Sequence, residues 1–134
     1  MKHKVVYNNT YGNLSLSDEA IDWLNNNARQ ELADFIKERQ NYYHTNSSNS
    51  WLKSLTNECS FISDAILDNF QRNGIKRHDE DLVRCVEALG ERVNGNKFSD
   101  IRVAEIESNQ YLIENYDGKE TVREPKDLNF ITIV

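Results

Sequence analysis

The densest group of side chains that could do chemistry is the run Lys76-Arg77-His78-Asp79-Glu80-Asp81. A histidine beside carboxylates could serve in acid–base catalysis or help to hold a divalent metal. Consecutive residues at a helix start point in different directions, and acidic residues are expected there because they complement the helix dipole. The run therefore favours a helix cap at Asp79. A hydrolase or metal-assisted enzyme that uses the His78 and Asp79 region is the alternative.

The segment 5–17 has the outline of an anion site, a strand and a turn that lead into a helix. It contains no glycine-rich phosphate-binding pattern, and Asp18 and Glu19 place negative charge where a phosphate would sit. The histidines and cysteines show no zinc-type spacing, and Cys59 and Cys85 each fall on the apolar face of a predicted helix. We therefore expect core thiols, no cofactor and no metal.

Tyrosine is the residue type that points most directly to binding. The six tyrosines lie mostly at strand ends and in loops: Tyr7, Tyr11, Tyr42, Tyr43, Tyr111 and Tyr116. Tyrosine in such places can stack on a ligand ring or anchor a protein interface at low entropic cost. Strand tyrosines also pack half-buried for purely structural reasons, so this alternative stays open for the last two.

Helices are predicted wherever apolar residues recur at helical spacing. Ser17 is a good N-cap for a helix from about Asp18, whose apolar stripe continues to about Gln40. The run 25–27 is Asn-Asn-Asn, and because asparagine competes with the helical backbone, two helices are the alternative to one. A further helix is predicted over 52–70, and Asp79 caps a shorter one that ends near Gly90.

From residue 101 the pattern changes to β-type. Short runs at 101–107, 111–116 and 120–123 predict a three-stranded meander, with Asp117-Gly118 as a tight hairpin turn. Residues 130–134 predict a final strand that could pair with the meander or with residues 5–7. The expected fold class is α+β, with a helical N-terminal two thirds packed on a C-terminal antiparallel sheet of about three to five strands.

Length and charge limit the classes of protein. The chain has 134 residues and a net charge of −6, so we expect one domain whose overall field repels nucleic acid and anionic membranes. No apolar stretch approaches the roughly 20 residues that span a membrane. The N-terminus leads straight into a strand without a signal-peptide pattern, so a cytoplasmic location is expected.

Three groups of residues resemble the motifs of a family of small uncharacterised proteins carried mainly by tailed bacteriophages. They are Tyr11-Gly12 with Leu16-Ser17, Arg77-His78-Asp79 with Leu82-Val83, and Tyr116-Asp117-Gly118 with Glu120. The family pattern runs Tyr-Gly-Gly-Phe-x-Leu-Ser, then Arg-x-Asp-Pro-x-Leu-Val, then Glu-Tyr-Asp-Gly-x-Glu. This chain departs from it at Asn13, Leu14 and Glu80, and residues 26–73 resemble a helical insertion.

The resemblance implies phage infection as the setting and carries no activity with it. In that setting we expect a non-enzymatic binding protein that antagonises a host component, in particular a defence component, by sequestering a nucleotide-type signal or by occupying a host protein surface. The expected ligand-binding residues are Tyr11, Arg77, His78, Tyr116 and Arg123, with arginines for phosphate and tyrosines for a base. The strand at 130–134 could also form an edge that pairs with a second copy.

Overall fold

The computed structural model describes residues 2–12, 14–45, 66–67, 74–128 and 131–133. Within these residues the fold is a mixed α+β arrangement of three α-helices and two small antiparallel sheets. Cys59 and the predicted helix over 52–70 lie outside the described residues, apart from 66–67. None of the described helices is long and apolar enough to cross a membrane.

The first helical region is broken, as the asparagine run allows. Helix α1, Asp18–Asn27, starts with the Ser17 side chain accepting a hydrogen bond from the Ala20 amide at 3.0 Å. It ends at Ala28, whose backbone is extended, and helix α2, Gln30–Thr45, follows. The predicted N-cap and the two-helix alternative are both confirmed.

Helix α3, Glu80–Leu89, is the short helix predicted after the charged run. The Asp79 carboxylate caps it by accepting hydrogen bonds from the amides of Asp81 and Leu82, and Gly90 ends it with a φ of 58°. Cys85 lies on its buried face, and burial raises the pKa of this thiol to about 12. The predicted Asp79 cap is confirmed, and Cys85 is a core thiol.

The strand pairing differs from the predicted meander. Strand β1, His3–Asn8, pairs antiparallel with β2, Ile101–Ile106, while β3, Leu112–Tyr116, pairs with β4, Lys119–Arg123. The β3–β4 half of the meander is confirmed, and its β2–β3 half is wrong. Directly after β2, the amides of Glu107 and Ser108 donate to the Glu124 carboxylate at 2.6 and 3.2 Å, so they are not available to a ladder with β3. Residues 131–133 carry no strand, so the predicted final strand is wrong over its described part.

The core lies between the three helices and the β1–β2 pair. Its largest fully buried apolar side chains are Val5, Val6, Leu16, Ile21, Leu24, Ile36, Ile66, Leu82 and Val93. The β3–β4 hairpin lies mostly outside this cluster, and β4 runs beside β1. Two polar residues, Asn8 and Glu120, are buried where these two strands meet.

Candidate functional site

A buried ion pair joins the loop before α3 to strand β4. The two terminal nitrogens of Arg77 donate to the two carboxylate oxygens of Glu120 at 2.7 and 2.8 Å, and the side chains are only 3% and 4% exposed. Arg77 also donates to the Val6 carbonyl at 3.1 Å, and its own carbonyl accepts from the Val6 amide at 2.8 Å. The guanidinium fork that we expected to hold a phosphate is therefore engaged inside the protein.

Asn8 connects this ion pair to three loops. Its backbone amide donates to Glu120 at 2.8 Å, and its side-chain nitrogen donates to the carbonyls of Thr10 and Gly118, each at 3.0 Å. Its side-chain oxygen accepts a hydrogen bond from the Asp100 amide at 2.8 Å. Because Asn8 is fully buried, each of these bonds would be costly to lose, so the loops that contain its partners are fixed relative to one another.

Two of these loops touch at glycines. The Gly12 amide donates to the Asp117 carbonyl at 2.8 Å, and the hairpin turn has positive φ at both Asp117 (51°) and Gly118 (92°). A Cβ added to Gly118 would lie 1.3 Å from the Gly12 carbonyl oxygen, and one added to Gly12 would lie 2.8 Å from the Phe98 Cβ. The predicted turn is confirmed, and its backbone packs directly on the loop that carries Gly12.

Three aromatic side chains are exposed above this junction. Tyr11, Phe98 and Tyr116 are 57%, 58% and 72% exposed. The Tyr11 and Tyr116 rings meet edge to face with centroids 6.3 Å apart. The Lys119 ammonium lies 5.6 Å from the Tyr11 centroid, and Lys97 lies 5.1 Å from that of Phe98. We call these five residues the aromatic face.

The five expected ligand-binding residues do not share one site. Tyr11 and Tyr116 lie together on the aromatic face, while Arg77 is buried beneath it. Arg123 is opposite Leu112 at the far end of the β3–β4 hairpin, where it pairs with Glu114 at 3.2 Å. Arg123 is the fourth residue after Lys119 along β4, which is a distance of about 13 Å. The structure thus brings Tyr11 and Tyr116 together and does not place the two arginines with them.

His78 lies in a different place, a cleft of about 570 Å³ between the N-terminal strand, α3 and the loop after β2. Its Nδ1 is 2.7 Å from the Tyr111 hydroxyl, and the two rings meet edge to face. The cleft is lined by Lys2, His3, Lys4, Val5, His78, Glu80, Val83, Arg84, Ile106, Ser108, Asn109 and Tyr111. We call it the basic cleft.

The enzyme alternative required His78, Asp79 and Glu80 to converge with Tyr116 and Asp117. The structure brings only His78 and Glu80 into the basic cleft, and Tyr116 faces Tyr11 instead. No group of three or more His, Cys, Asp or Glu side chains in the described ranges could hold a metal ion. The geometry therefore supplies neither of the two arrangements on which that alternative depends.

Asp79 is occupied by structural contacts. Its carboxylate receives two hydrogen bonds from Arg29, at 2.8 and 3.1 Å, besides the two amides that it caps. Burial alone would raise the pKa of Asp79, but the Arg29 and amide hydrogen bonds outweigh it and hold the pKa below the ordinary value. The carboxylate thus stays ionised and ties α2 to α3.

Asp79→Asn should lower the free energy of unfolding by about 1–2 kcal/mol at pH 7, because asparagine can still cap the helix but loses the charge paired with Arg29. Since the folded-state pKa is depressed, this difference is fully present above the unfolded value of about 3.9 and is lost as the pH falls from there through the lower folded-state pKa. Urea unfolding from pH 7 to pH 3 checks this. Asp100→Asn, which removes an exposed pair with Arg102, is the control and should have little effect. A difference that is as large at pH 3 as at pH 7 would contradict the assignment.

Sequence reasoning missed Asn8, Glu120, Phe98 and Lys97. Asn8 and Glu120 carry no signal of burial, because all their partners named above except Thr10 are more than 40 residues away along the chain. The sequence did carry a signal for Phe98, which is a large apolar residue in the otherwise polar segment 94–100.

Comparison with protein-family models, with curated proteins and with solved structures finds no match to this chain.

Proposed function

We propose that this protein is a non-enzymatic binding protein that occupies the surface of another protein through its aromatic face. One observation carries the proposal: Tyr11 and Tyr116 are exposed in edge-to-face contact, and the exposed Phe98 lies next to Gly12, on segments that a buried polar network fixes. Exposed aromatics that cluster on a monomer surface mark interaction sites more often than exposed aliphatic residues scattered singly do. A face whose geometry is set before binding loses little entropy when the partner docks.

The three groups of residues on which the phage resemblance rests support this choice, because they meet at the junction below the face. Gly12 contacts the Asp117-Gly118 turn, and Arg77 pairs with Glu120. A common role in building one surface would explain why motifs so far apart in the chain occur together. In the setting that the resemblance implies, we propose a host protein as the partner, in particular a defence component in the host cytosol.

Sequestration of a nucleotide-type signal by the same residues is less well supported. It was expected to use Arg77 and Arg123 for phosphate, and these two residues are buried against Glu120 and at the far end of the hairpin. The cations of the aromatic face are Lys97 and Lys119, and both lie over aromatic rings. Occupation of a protein surface is therefore the better supported of the two functions.

Self-association through the C-terminal segment also stays an expectation, since Ile131 and Ile133 are almost fully exposed.

Photocrosslinking in host cells tests the proposal. A benzophenone amino acid in place of Tyr116 should give one discrete crosslinked species of higher mass, because Tyr116 is exposed at the centre of the proposed interface. The same amino acid in place of Leu112, at the other end of the same hairpin, is the matched control and should give none or a different pattern. Identical adducts at the two positions, or no adduct at position 116, would contradict a partner docked on the aromatic face.

A further inference from the structure

The lining of the basic cleft is rich in cations, although the net charge of the chain is −6. Lys2, Lys4 and Arg84 line it, and Glu80 is the single carboxylate among its described lining residues. The carboxylates that pair with these three cations, Glu105, Glu87 and Asp81, are not among the lining residues. The lining itself therefore presents more cationic than anionic groups, and cations in a concave site can hold an anionic ligand.

The three cations have carboxylate partners that a ligand could replace. Lys4 pairs with Glu87 at 3.0 Å, Arg84 with Asp81 at 3.0 Å, and Lys2 with Glu105 at 3.6 Å. Both members of the Lys2 and Lys4 pairs are well exposed, and such pairs contribute little to stability because water and salt screen them. Asp81 is only 9% exposed, but it keeps its ion pair with Arg29 at 2.8 Å when Arg84 turns away. The side chains can therefore turn toward a bound anion at small cost.

The other side of the cleft is apolar. Val5, Val83 and Ile106 are buried apolar residues in its lining, which we call its floor, and Tyr111 also lines the cleft. A volume of about 570 Å³ lies within the range of roughly 300–1,000 Å³ that small-molecule sites occupy. The cleft thus combines cations for a charged group with a surface for a ring.

His78 adds a directed hydrogen-bond donor. A phenol hydroxyl 2.7 Å from Nδ1 can donate to that nitrogen, and a neutral imidazole that accepts at Nδ1 carries its proton on Nε2. The edge-to-face contact with Tyr111 fixes the ring as well. Nε2 is then available as a donor to an anionic oxygen.

We propose that the basic cleft binds a phosphate monoester that carries a ring, of the mononucleotide type, with Lys4 and Arg84 on the phosphate and the ring on the floor near Tyr111. This site shares no residue with the aromatic face and does not depend on the proposed function. It gives the expected nucleotide-type ligand a location that the sequence indicated only through His78.

Calorimetric titration with AMP, adenosine and inorganic phosphate tests the proposal. AMP should bind more tightly than either of the other two, because only AMP uses both the cations and the apolar floor. Lys4→Gln with Arg84→Gln should weaken AMP binding by at least about tenfold, since two charge-assisted hydrogen bonds are lost. Glu80→Gln should tighten it by about threefold, since it removes the opposing carboxylate.

Tyr116→Ala separates this site from the aromatic face and should leave AMP affinity unchanged. Amide chemical shifts that move at the cleft residues and not at Tyr116 would support the location. The proposal is overturned if AMP gives no binding at millimolar concentration, or if the double variant binds AMP as well as the unchanged protein does. Phosphate binding equal to that of AMP would also overturn it, because the ring would then contribute nothing.

Discussion

Arg77→Ala is expected to lower the free energy of unfolding by about 3–5 kcal/mol, because it leaves the Glu120 carboxylate buried without its cation. The two side chains are almost completely buried and joined by two hydrogen bonds of 2.7 and 2.8 Å. Urea or thermal unfolding at pH 7 measures the loss. Arg92→Ala is the control, since it removes an exposed pair with Glu19 and should change stability by less than about 1 kcal/mol.

A double variant distinguishes loss of charge balance from loss of packing. Arg77→Met with Glu120→Gln removes both charges and keeps an oxygen that can accept the hydrogen bond from the Asn8 amide. We expect this variant to regain most of the stability that Arg77→Ala loses, because no unpaired charge is left in the interior. If the single and double variants were equally unstable, the ion pair would not be the source of the effect.

Gly118→Ala is expected to cost about 2–4 kcal/mol and to disrupt the aromatic face. The residue has a φ of 92°, and its new Cβ would lie 1.3 Å from the Gly12 carbonyl oxygen. The two loops must therefore separate, which breaks the hydrogen bond from the Gly12 amide to Asp117 and moves Tyr11 relative to Tyr116. Unfolding measurements and side-chain resonances of the two tyrosines report the two effects.

Gly90→Ala is the matched control for this prediction. Gly90 also has a positive φ, 58°, but a Cβ there would meet nothing within 4 Å. It should cost the backbone strain alone, about 1–3 kcal/mol, and leave the tyrosine resonances unchanged. Equal losses in the two variants, with equal spectra, would show that the loop contact at Gly118 does not hold the face together.

Features that depend on neighbouring residues could be predicted from the sequence. The Ser17 and Asp79 caps, the break after Asn27 and the Asp117-Gly118 turn all follow from local hydrogen bonding and backbone preference, and all are confirmed. Their physical causes act within four residues, so no knowledge of the tertiary fold is needed.

Features that depend on distant residues could not be predicted in the same way. Strand β1 pairs with β2 across about ninety residues of chain, and the short apolar run at 101–106 fits that pairing as well as it fits a meander. Arg77 looks like an exposed ligand-binding arginine until Glu120 is known to lie beside it. Tyr11 and Tyr116 could be singled out as tyrosines beside turns, but only the Asn8 network shows why they come together.

The most direct test of the aromatic face is the affinity of the crosslinked partner, once purified, for variants of this protein. Tyr11→Ala, Phe98→Ala and Tyr116→Ala should include at least one loss of about 30-fold, as expected for an aromatic residue at the centre of an interface. Leu112→Ala, at the far end of the hairpin, should change the affinity by less than about twofold. If all three face variants bound like the unchanged protein, the aromatic face would not be the binding surface.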